Sequence, residues 1–286
     1  MLRTERPLHV GSYSLERCGA GPRLRALFLM ARQRSRIVLK FGSGVLASPR
    51  GLSLDEKQFR RIASEVAALI GAGHECCIVS SGAVAAGLGV LGLRARPEDL
   101  AARQACAAVG QAKLMQVYAT HFATHGLYVA QLLLTHGDLD SRTRHANAKN
   151  TLGRLFERRN VVPIINENDS VAVEELKFGD NDRLSAEVAM LARADLLILL
   201  TSVDGLLDAN GKRVPLVEDM DLAAKLVRLE KGKFSVGGMA SKLQAVKVAV
   251  DAGIATYVVS GRKPGRIAAA AVGKPVGTRF PVSAAQ

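Results

Sequence analysis

The sequence predicts an α/β protein, a three-layer α/β/α sandwich with a central, mainly parallel sheet. Three observations predict it. Short apolar runs at Ile37–Phe41, Glu75–Val79, Val129–Leu134, Val161–Ile165, Leu196–Leu200 and Thr256–Ser260 alternate with helix-period stretches, the pattern of a sheet covered on both faces. The composition is 48% hydrophobic but only 4% aromatic, which suits a core rich in Val, Ala and Leu. The chain has 286 residues, enough to bury a sizeable core, and no internal repeat.

Residues 1–35 mix Arg, Gly, Pro and scattered apolar residues without period, and read as a disordered or loosely attached basic extension. Residues 36–286 read as the folded domain. The first strand ends in Lys40-Phe41-Gly42-Ser43-Gly44, a lysine feeding a glycine turn whose N–H groups could approach a phosphate, although the spacing is not G-x-x-x-x-G-K-[ST]. An amphipathic helix spans Leu54–Gly71 and Gly73 closes it. The second strand runs into Ser80-Ser81-Gly82 and a small-residue helix, where a serine would cap the helix and an anion could sit beside it. It is not a nucleophile elbow, because Val79 and Ser80 stand where G-x-S-x-G needs glycine. Pro97 opens a helix reaching about Thr124, and the loop Thr135–Asp138 leads to a helix over Ser141–Arg159.

Next comes the most polar stretch. The apolar strand from Val161 to Ile165 breaks into Asn166-Glu167-Asn168-Asp169, where a parallel strand should end. Ser170–Phe178 reads as a hairpin, and Asp180-Asn181-Asp182 stands at the start of the helix Leu184–Arg193. These clusters hold more acids and amides than capping requires, which points to a ligand crevice at the carboxyl ends of the strands. After Leu196–Leu200, the turn Thr201–Leu206 either contacts a nucleotide or reverses the chain, and Asn210-Gly211 marks a hairpin turn. A helix over Leu222–Leu229 precedes the loop Phe234–Met239 and the helix Lys242–Ala252. Lys242 stands near the positive end of the helix dipole, a placement that makes sense beside an anion. A helix from Pro264 and a strand near Val276–Phe280 finish the domain.

The net charge of +13 is unevenly spread: eight Arg against Glu5 and Glu16 give residues 1–36 a charge of +6. The mildly basic body suits anionic substrates. The tail lacks the interleaved aromatics of a nucleic-acid reader, and we read it as solvated. Cys18, Cys76, Cys77 and Cys106 show no C-x-x-C spacing, which suggests a reducing cytoplasm. His121 and His125 share a helical i, i+4 face without an acidic or Cys partner nearby, an ordinary surface pair rather than a metal site. No apolar run reaches the roughly 18 residues of a membrane span, and Leu27–Ala31 is too short for a signal segment.

Two lysine-and-glycine loops (Lys40; Gly237, Gly238 and Lys242) and one polar crevice are the parts a small-molecule kinase needs, since phosphoryl transfer asks for placement and positive charge more than covalent chemistry. Here the chain resembles the glutamate 5-kinases of the amino acid kinase fold. The motifs are VLKFGSGVL at 38–46, VSSGAVAAG at 79–87, AVGQ at 108–111, LLT at 133–135, NAKNTL at 147–152, PIINENDSVAVEELKFGDNDRLSA at 163–186, LLTSVDGL at 199–206 and GGMASKLQAVKVAVDAG at 237–253. The resemblance implies Lys40 and Lys242 flanking the transferred phosphate with Asp182 orienting them. It implies Ser81, Asp169 and Asn181 holding glutamate, and Lys40, Gly42, Thr201, Ser202, Gly237, Gly238, Met239, Ser241 and Lys242 holding ATP. It further implies magnesium carried by the nucleotide rather than by a protein metal site, glutamyl 5-phosphate passed to a reductase, proline as feedback inhibitor, and a homodimer or homotetramer.

Three features depart from the family pattern. Thr201-Ser202 replaces Thr-Asp; Val236 replaces a Thr before Gly-Gly-Met, with Ser235 as the nearest hydroxyl; and the chain ends at Gln286 without room for the C-terminal PUA domain of many relatives. Alternative readings are a kinase of the same fold acting on aspartate, acetylglutamate or carbamate, a non-catalytic nucleotide- or amino-acid-binding regulator, and nucleic-acid binding by the tail.

Overall fold

The computed structural model describes residues 34–172, 180–208, 210–221, 223–224 and 238–282. Residues 1–33 of the expected extension over 1–35, most of the hairpin 170–178, most of the helix 222–229, and Ser235, Val236 and Gly237 lie outside the described residues.

The element order is β1 (Arg36–Phe41), α1 (Ser43–Leu46), α2 (Glu56–Gly71), β2 (Glu75–Val79), α3 (Ala83–Leu91), α4 (Leu100–Ala123), β3 (Tyr128–Leu134), α5 (His136–Asp140), α6 (Arg142–Phe156), β4 (Val161–Glu167), α7 (Asp180–Ala192), β5 (Leu196–Thr201), α8 (Met239–Asp251), β6 (Ala255–Ser260), α9 (Arg266–Ala271) and β7 (Thr278–Phe280). One sheet runs β3-β4-β2-β1-β5-β6-β7. Every pairing is parallel except β6 with β7, where Thr256 faces Phe280 antiparallel.

Strand alternation sorts the core into two layers. Ile37, Leu39 and Phe41 of β1 join Phe59 and Ile62 of α2, Leu114 and Tyr118 of α4 and Ile267 of α9 on one face. Val38, with Leu197 and Leu199 of β5, faces Leu152 of α6, Val188 of α7 and Val246 of α8 on the other. Cys76 and Cys77 point to opposite faces for the same reason, so they cannot bridge, and burial pushes the Cys76 thiol up to about 12.

Four expectations need correction. Neither Ser80 nor Ser81 caps α3: the capping residue is Gly82, left-handed at φ 100°, with no side-chain bond, while the Ser80 hydroxyl pairs with the Tyr118 hydroxyl at 3.0 Å. The loop Thr135–Asp138 is largely helix α5, because Thr135 and Asp138 form a reciprocal capping box. α4 ends at Ala123, so His125 lies past the helix and shares no face with His121. The break expected after Ile165 comes two residues later, since β4 continues through Asn166 and Glu167, both buried.

α3 and α4 approach so closely that glycine is required at their crossing. A Cβ at Gly110 would lie 1.8 Å from the Ala83 carbonyl oxygen, whereas one at Gly153 of α6 would meet nothing within 4 Å. Gly110→Ala is therefore expected to lower stability by about 1–3 kcal/mol through overpacking. Gly153→Ala should raise it by about 0.5–1 kcal/mol through helix propensity alone. Urea midpoints for the two variants check this, and equal shifts would contradict the close crossing.

Candidate active site

The site lies at the carboxyl edge of the parallel strands, as an open α/β sheet favours. In β1 the residue after the apolar alternation Val38 on the lower face is Lys40, so its side chain enters the layer of α7 and α8. In α7 the buried stripe Asp182, Ser185, Ala186, Ala189 follows the i, i+3, i+4, i+7 spacing of a helix face. In α8 Lys242 precedes Ala245, Val246 and Ala249 at the same spacing. Each helix thus places one charged residue where its apolar stripe reaches the strand ends.

These three side chains meet. One Asp182 carboxylate oxygen accepts from Lys40 Nζ; the other accepts from Lys242 Nζ at 3.1 Å and from the Ser241 hydroxyl at 3.0 Å. Lys40 is 6% exposed and Asp182 1%. Burial alone would raise the Asp182 pKa, but the charges and hydrogen bonds of Lys40 and Lys242 outweigh it and hold the carboxyl below its ordinary range. For Lys40 the balance runs the other way. Burial, aided by the charge of Lys242, lowers its pKa despite the facing carboxylate. The anion expected beside Lys242 is therefore in part a carboxylate of the protein itself.

On the β5 side, the glycine turn is anchored by Gly42 N–H donating to the Leu200 carbonyl at 3.2 Å, and Gly44 lies against Ser202. The Arg262 guanidinium clamps the same turn through the Gly44 and Ala47 carbonyls at 2.9 and 3.0 Å. Thr201 ends β5, buried, its carbonyl accepting from Gly261 N–H at 2.7 Å, while Ser202 is exposed. Asp204 binds Lys263 at 2.8 Å and Arg266 at 3.2 Å, so the 201–206 turn is pinned to the loop before α9 and to the first residue of that helix. Gly238 caps α8 and Met239 opens it; the Ser241 hydroxyl also lies 3.0 Å from the Gly238 carbonyl.

On the β2 and β4 side, Asn181 Nδ2 donates to the Ser81 hydroxyl at 3.1 Å, joining two of the expected substrate residues. Asp169 occupies the turn after β4, which Asn168 closes by accepting from Val171 and Ala172 N–H groups at 3.0 Å. Two residues there carry no role in the sequence reading. Asn166 Nδ2 donates to Gln111 Oε1 of α4 at 2.8 Å, and Asn166 Oδ1 accepts from Glu167 N–H at 3.0 Å. A polar residue continuing an apolar strand, and a glutamine after a glycine in an alanine-rich helix, are the signals that could have found them. Among the described residues, no group of three His, Cys, Asp or Glu side chains could hold a metal ion.

Comparison with known proteins shows the family. The amino acid kinase family model matches residues 35–260. Glutamate 5-kinase of Desulfitobacterium hafniense is 46% identical over 252 residues, 86% of this chain and 68% of that protein. Glutamate 5-kinase of Thermus thermophilus is 47% identical over 251 residues, 86% of this chain and 67% of that one. Among solved structures, UMP kinase from Bacillus anthracis superposes with a TM-score of 0.58 at 17% identity, covering 88% of this chain and 98% of that one. N-acetylglutamate synthase from Neisseria gonorrhoeae gives 0.67 at 14%, covering 91% and 63%, a likeness of fold. The chain belongs to the amino acid kinase family, on its glutamate 5-kinase branch.

Proposed function

We propose that this protein transfers the γ-phosphoryl group of ATP to the side-chain carboxylate of L-glutamate, forming L-glutamyl 5-phosphate, the first step of proline biosynthesis. The observation that carries the reading is the convergence of Lys40 and Lys242 on one buried carboxylate, Asp182, between a glycine turn and a polar crevice. A glutamate carboxylate oxygen attacks the γ-phosphorus, the bond to the bridging oxygen breaks, and ADP leaves with that electron pair; no proton needs to move. The work left to the protein is alignment and charge.

Lys40 and Lys242 lie where negative charge develops on the nonbridging oxygens, and Asp182 fixes their spacing. Because Asp182 does not fully offset burial and the Lys242 charge at Lys40, a phosphate arriving there gains more than it would beside a lysine already well matched. Gly42, Thr201, Ser202, Gly238, Met239 and Ser241 line the nucleotide side. Ser81 and Asn181 hold glutamate on the other, and Asp169 offers a carboxylate to its ammonium group. Both Asp182 oxygens are engaged by Lys40, Lys242 and Ser241, so it does not suit a magnesium ion. The ion that accompanies ATP would be held by phosphate oxygens and water, where it neutralises their charge.

In the same reading the labile acyl phosphate passes to a reductase, proline inhibits by feedback, and the chain works in the cytoplasm as a homo-oligomer. No helix among the described residues is long and apolar enough to cross a membrane.

Glutamate-dependent ADP release with magnesium-ATP, in the presence of hydroxylamine, tests the reading directly. A hydroxamate formed with glutamate and not with aspartate, acetylglutamate or carbamate is expected; silence with all four in folded, ATP-binding protein would overturn it. Lys242→Ala should lower kcat by about 100-fold or more while the fold persists, since interactions with transition-state charge carry that order of effect. Near-normal turnover would make Lys242 structural.

The pH profile offers a separate check. Lys40 acts protonated, and its pKa in the free enzyme is lowered, so kcat/KM should fall on the alkaline side below the ordinary lysine range. Bound phosphates favour the charged form, so the alkaline limb of kcat should lie at higher pH. Coincident limbs would show that Lys40 does not face the nucleotide.

A further inference from the structure

The glycine turn lies against the buried lysine. A Cβ built on Gly42 would stand 3.6 Å from Lys40 Nζ and 3.6 Å from the Leu200 carbonyl oxygen, so a shift of the turn moves the backbone beside Lys40. Yet the turn closes few of its own hydrogen bonds. α1 runs only from Ser43 to Leu46, and a helix leaves its last carbonyls without intrahelical donors. Ala47 N–H returns to the Ser43 carbonyl and Asp55 N–H reaches that of Leu46, each at 2.8 Å. Ser48 N–H, which a longer helix would return to Gly44, goes to the Ser53 carbonyl at 2.9 Å instead. Among the described residues, no backbone donor reaches the carbonyls of Gly44 and Ala47.

Arg262 takes both. Its Nε donates to the Gly44 carbonyl at 2.9 Å and its Nη2 to that of Ala47 at 3.0 Å, while Nη1 lies 3.7 Å from an Asp55 carboxylate oxygen. A planar guanidinium holding two carbonyls sets two peptide planes at once, which an ammonium on a flexible stem does not. The arginine is also fixed at its root. Gly261 N–H donates to the Thr201 carbonyl at 2.7 Å, the Gly261 carbonyl accepts from Arg61 Nη2, and Lys263 Nζ binds Asp204 at 2.8 Å. A Cβ on Gly261 would come within 2.7 Å of Val45 Cγ2, so the segment packs directly on α1. Residues 261–263 thereby tie the end of β5, the turn that follows it and the glycine turn into one unit.

We infer that Arg262 is a positioning residue for the nucleotide: by holding the Gly44 and Ala47 carbonyls it keeps the glycine turn in the placement that serves the phosphates of ATP beside Lys40. The inference rests on the nucleotide half of the reading above and is independent of which carboxylate accepts the phosphoryl group. Arg262 acts through the turn, not by touching ATP. Its geometry matters more than its charge, because the groups it binds are neutral carbonyls whose orientation it sets. Small displacements of groups that align a phosphoryl donor carry large kinetic effects.

Arg262→Lys separates the fork from the charge, since it keeps a cation that bonds one carbonyl at a time. Arg262→Ala removes both. The Kd for ADP, measured by calorimetry, needs no acceptor substrate, and hydroxamate kinetics give the KM values for ATP and glutamate separately. In Arg262→Ala the Kd for ADP and the KM for ATP should each rise about 10-fold or more, with the KM for glutamate within about twofold. In Arg262→Lys both nucleotide values should stay at least about fivefold above those of wild type.

Wild-type nucleotide values in Arg262→Lys would show that charge alone suffices and would overturn the inference. A lowered thermal midpoint in Arg262→Ala with an unchanged Kd for ADP would overturn it as well, and so would a glutamate KM that rises as much as that for ATP, since both mark a role in stability alone. If Arg262→Ala does not fold, the nucleotide values of Arg262→Lys decide. Wild type that binds ADP but forms no hydroxamate with glutamate removes the substrate reading, and the Kd values still decide this inference; wild type that binds no ADP removes both.

Discussion

The carboxylate of Asp182 between Lys40 and Lys242 is the constraint on which the rest depends. Three side chains that prefer water are held in the same dry pocket, with Asp182 only 1% exposed. Taking each ion out of water costs several kcal/mol even after relaxation, and mutual attraction repays this only with good geometry. An apolar set in the same places would be as stable or more so. Stability therefore does not account for them, and what they provide is fixed positive charge at the edge of a sheet. The helices supply the means: α7 and α8 each carry a long apolar stripe, and that burial offsets one charged residue at its end.

The sheet offers two separate sides for the two ligands proposed above. β1 is central, with β2 and β4 on one flank and β5 and β6 on the other. The connections leave β1 in one direction and return in the other, so helices on successive crossovers part at its carboxyl end and leave a crevice. Lys40 emerges at that point. Toward β5 the crevice meets the glycine turn at 42–44 and Thr201; toward β2 and β4 it meets Ser81, Asn166 and Asp169. Arg262 on the glycine turn and the Lys263, Arg266 pair on Asp204 stiffen the first side through bonds from the loop before α9 and its first residue. The second side is stiffened from beneath by Tyr118, whose hydroxyl reaches Ser80 through the core.

Much of this was legible in the sequence, because strands buried on both faces read as continuous apolar runs and helices carry a visible stripe. The six parallel strands, the placement of Lys40 after β1 and the polar start of α7 all followed from period alone. What escaped reading depended on partners far along the chain. Asn166 and Glu167 read as a break in the strand at the edge of a ligand crevice until Gln111, 55 residues away, is seen to accept from Asn166. Ser80 looks like a helix cap until Tyr118, 38 residues away, takes its hydroxyl. The Lys242 argument was right in sign and incomplete in object: a cation near a helix N-terminus does meet an anion, and Asp182 on another helix supplies it. His121 and His125 were paired by a helix that stops two residues too soon.

The same distinction between local and distant partners orders the site by chemistry. The lysines and glycine turns, legible locally, are proposed to meet phosphate, which asks only for positive charge and close backbone approach and is met by loops and helix ends. The residues that escaped are neutral amides, Asn166 and Gln111, locked to one another by donors that cannot reverse. A neutral amide contributes little to a charged ligand's affinity compared with an ammonium, but its donor and acceptor ends cannot exchange once a backbone N–H has fixed the first of them. Positive charge at the strand ends would satisfy any anion, whereas the amide pair has an orientation propagated from the backbone of β4 through Asn166 to Gln111.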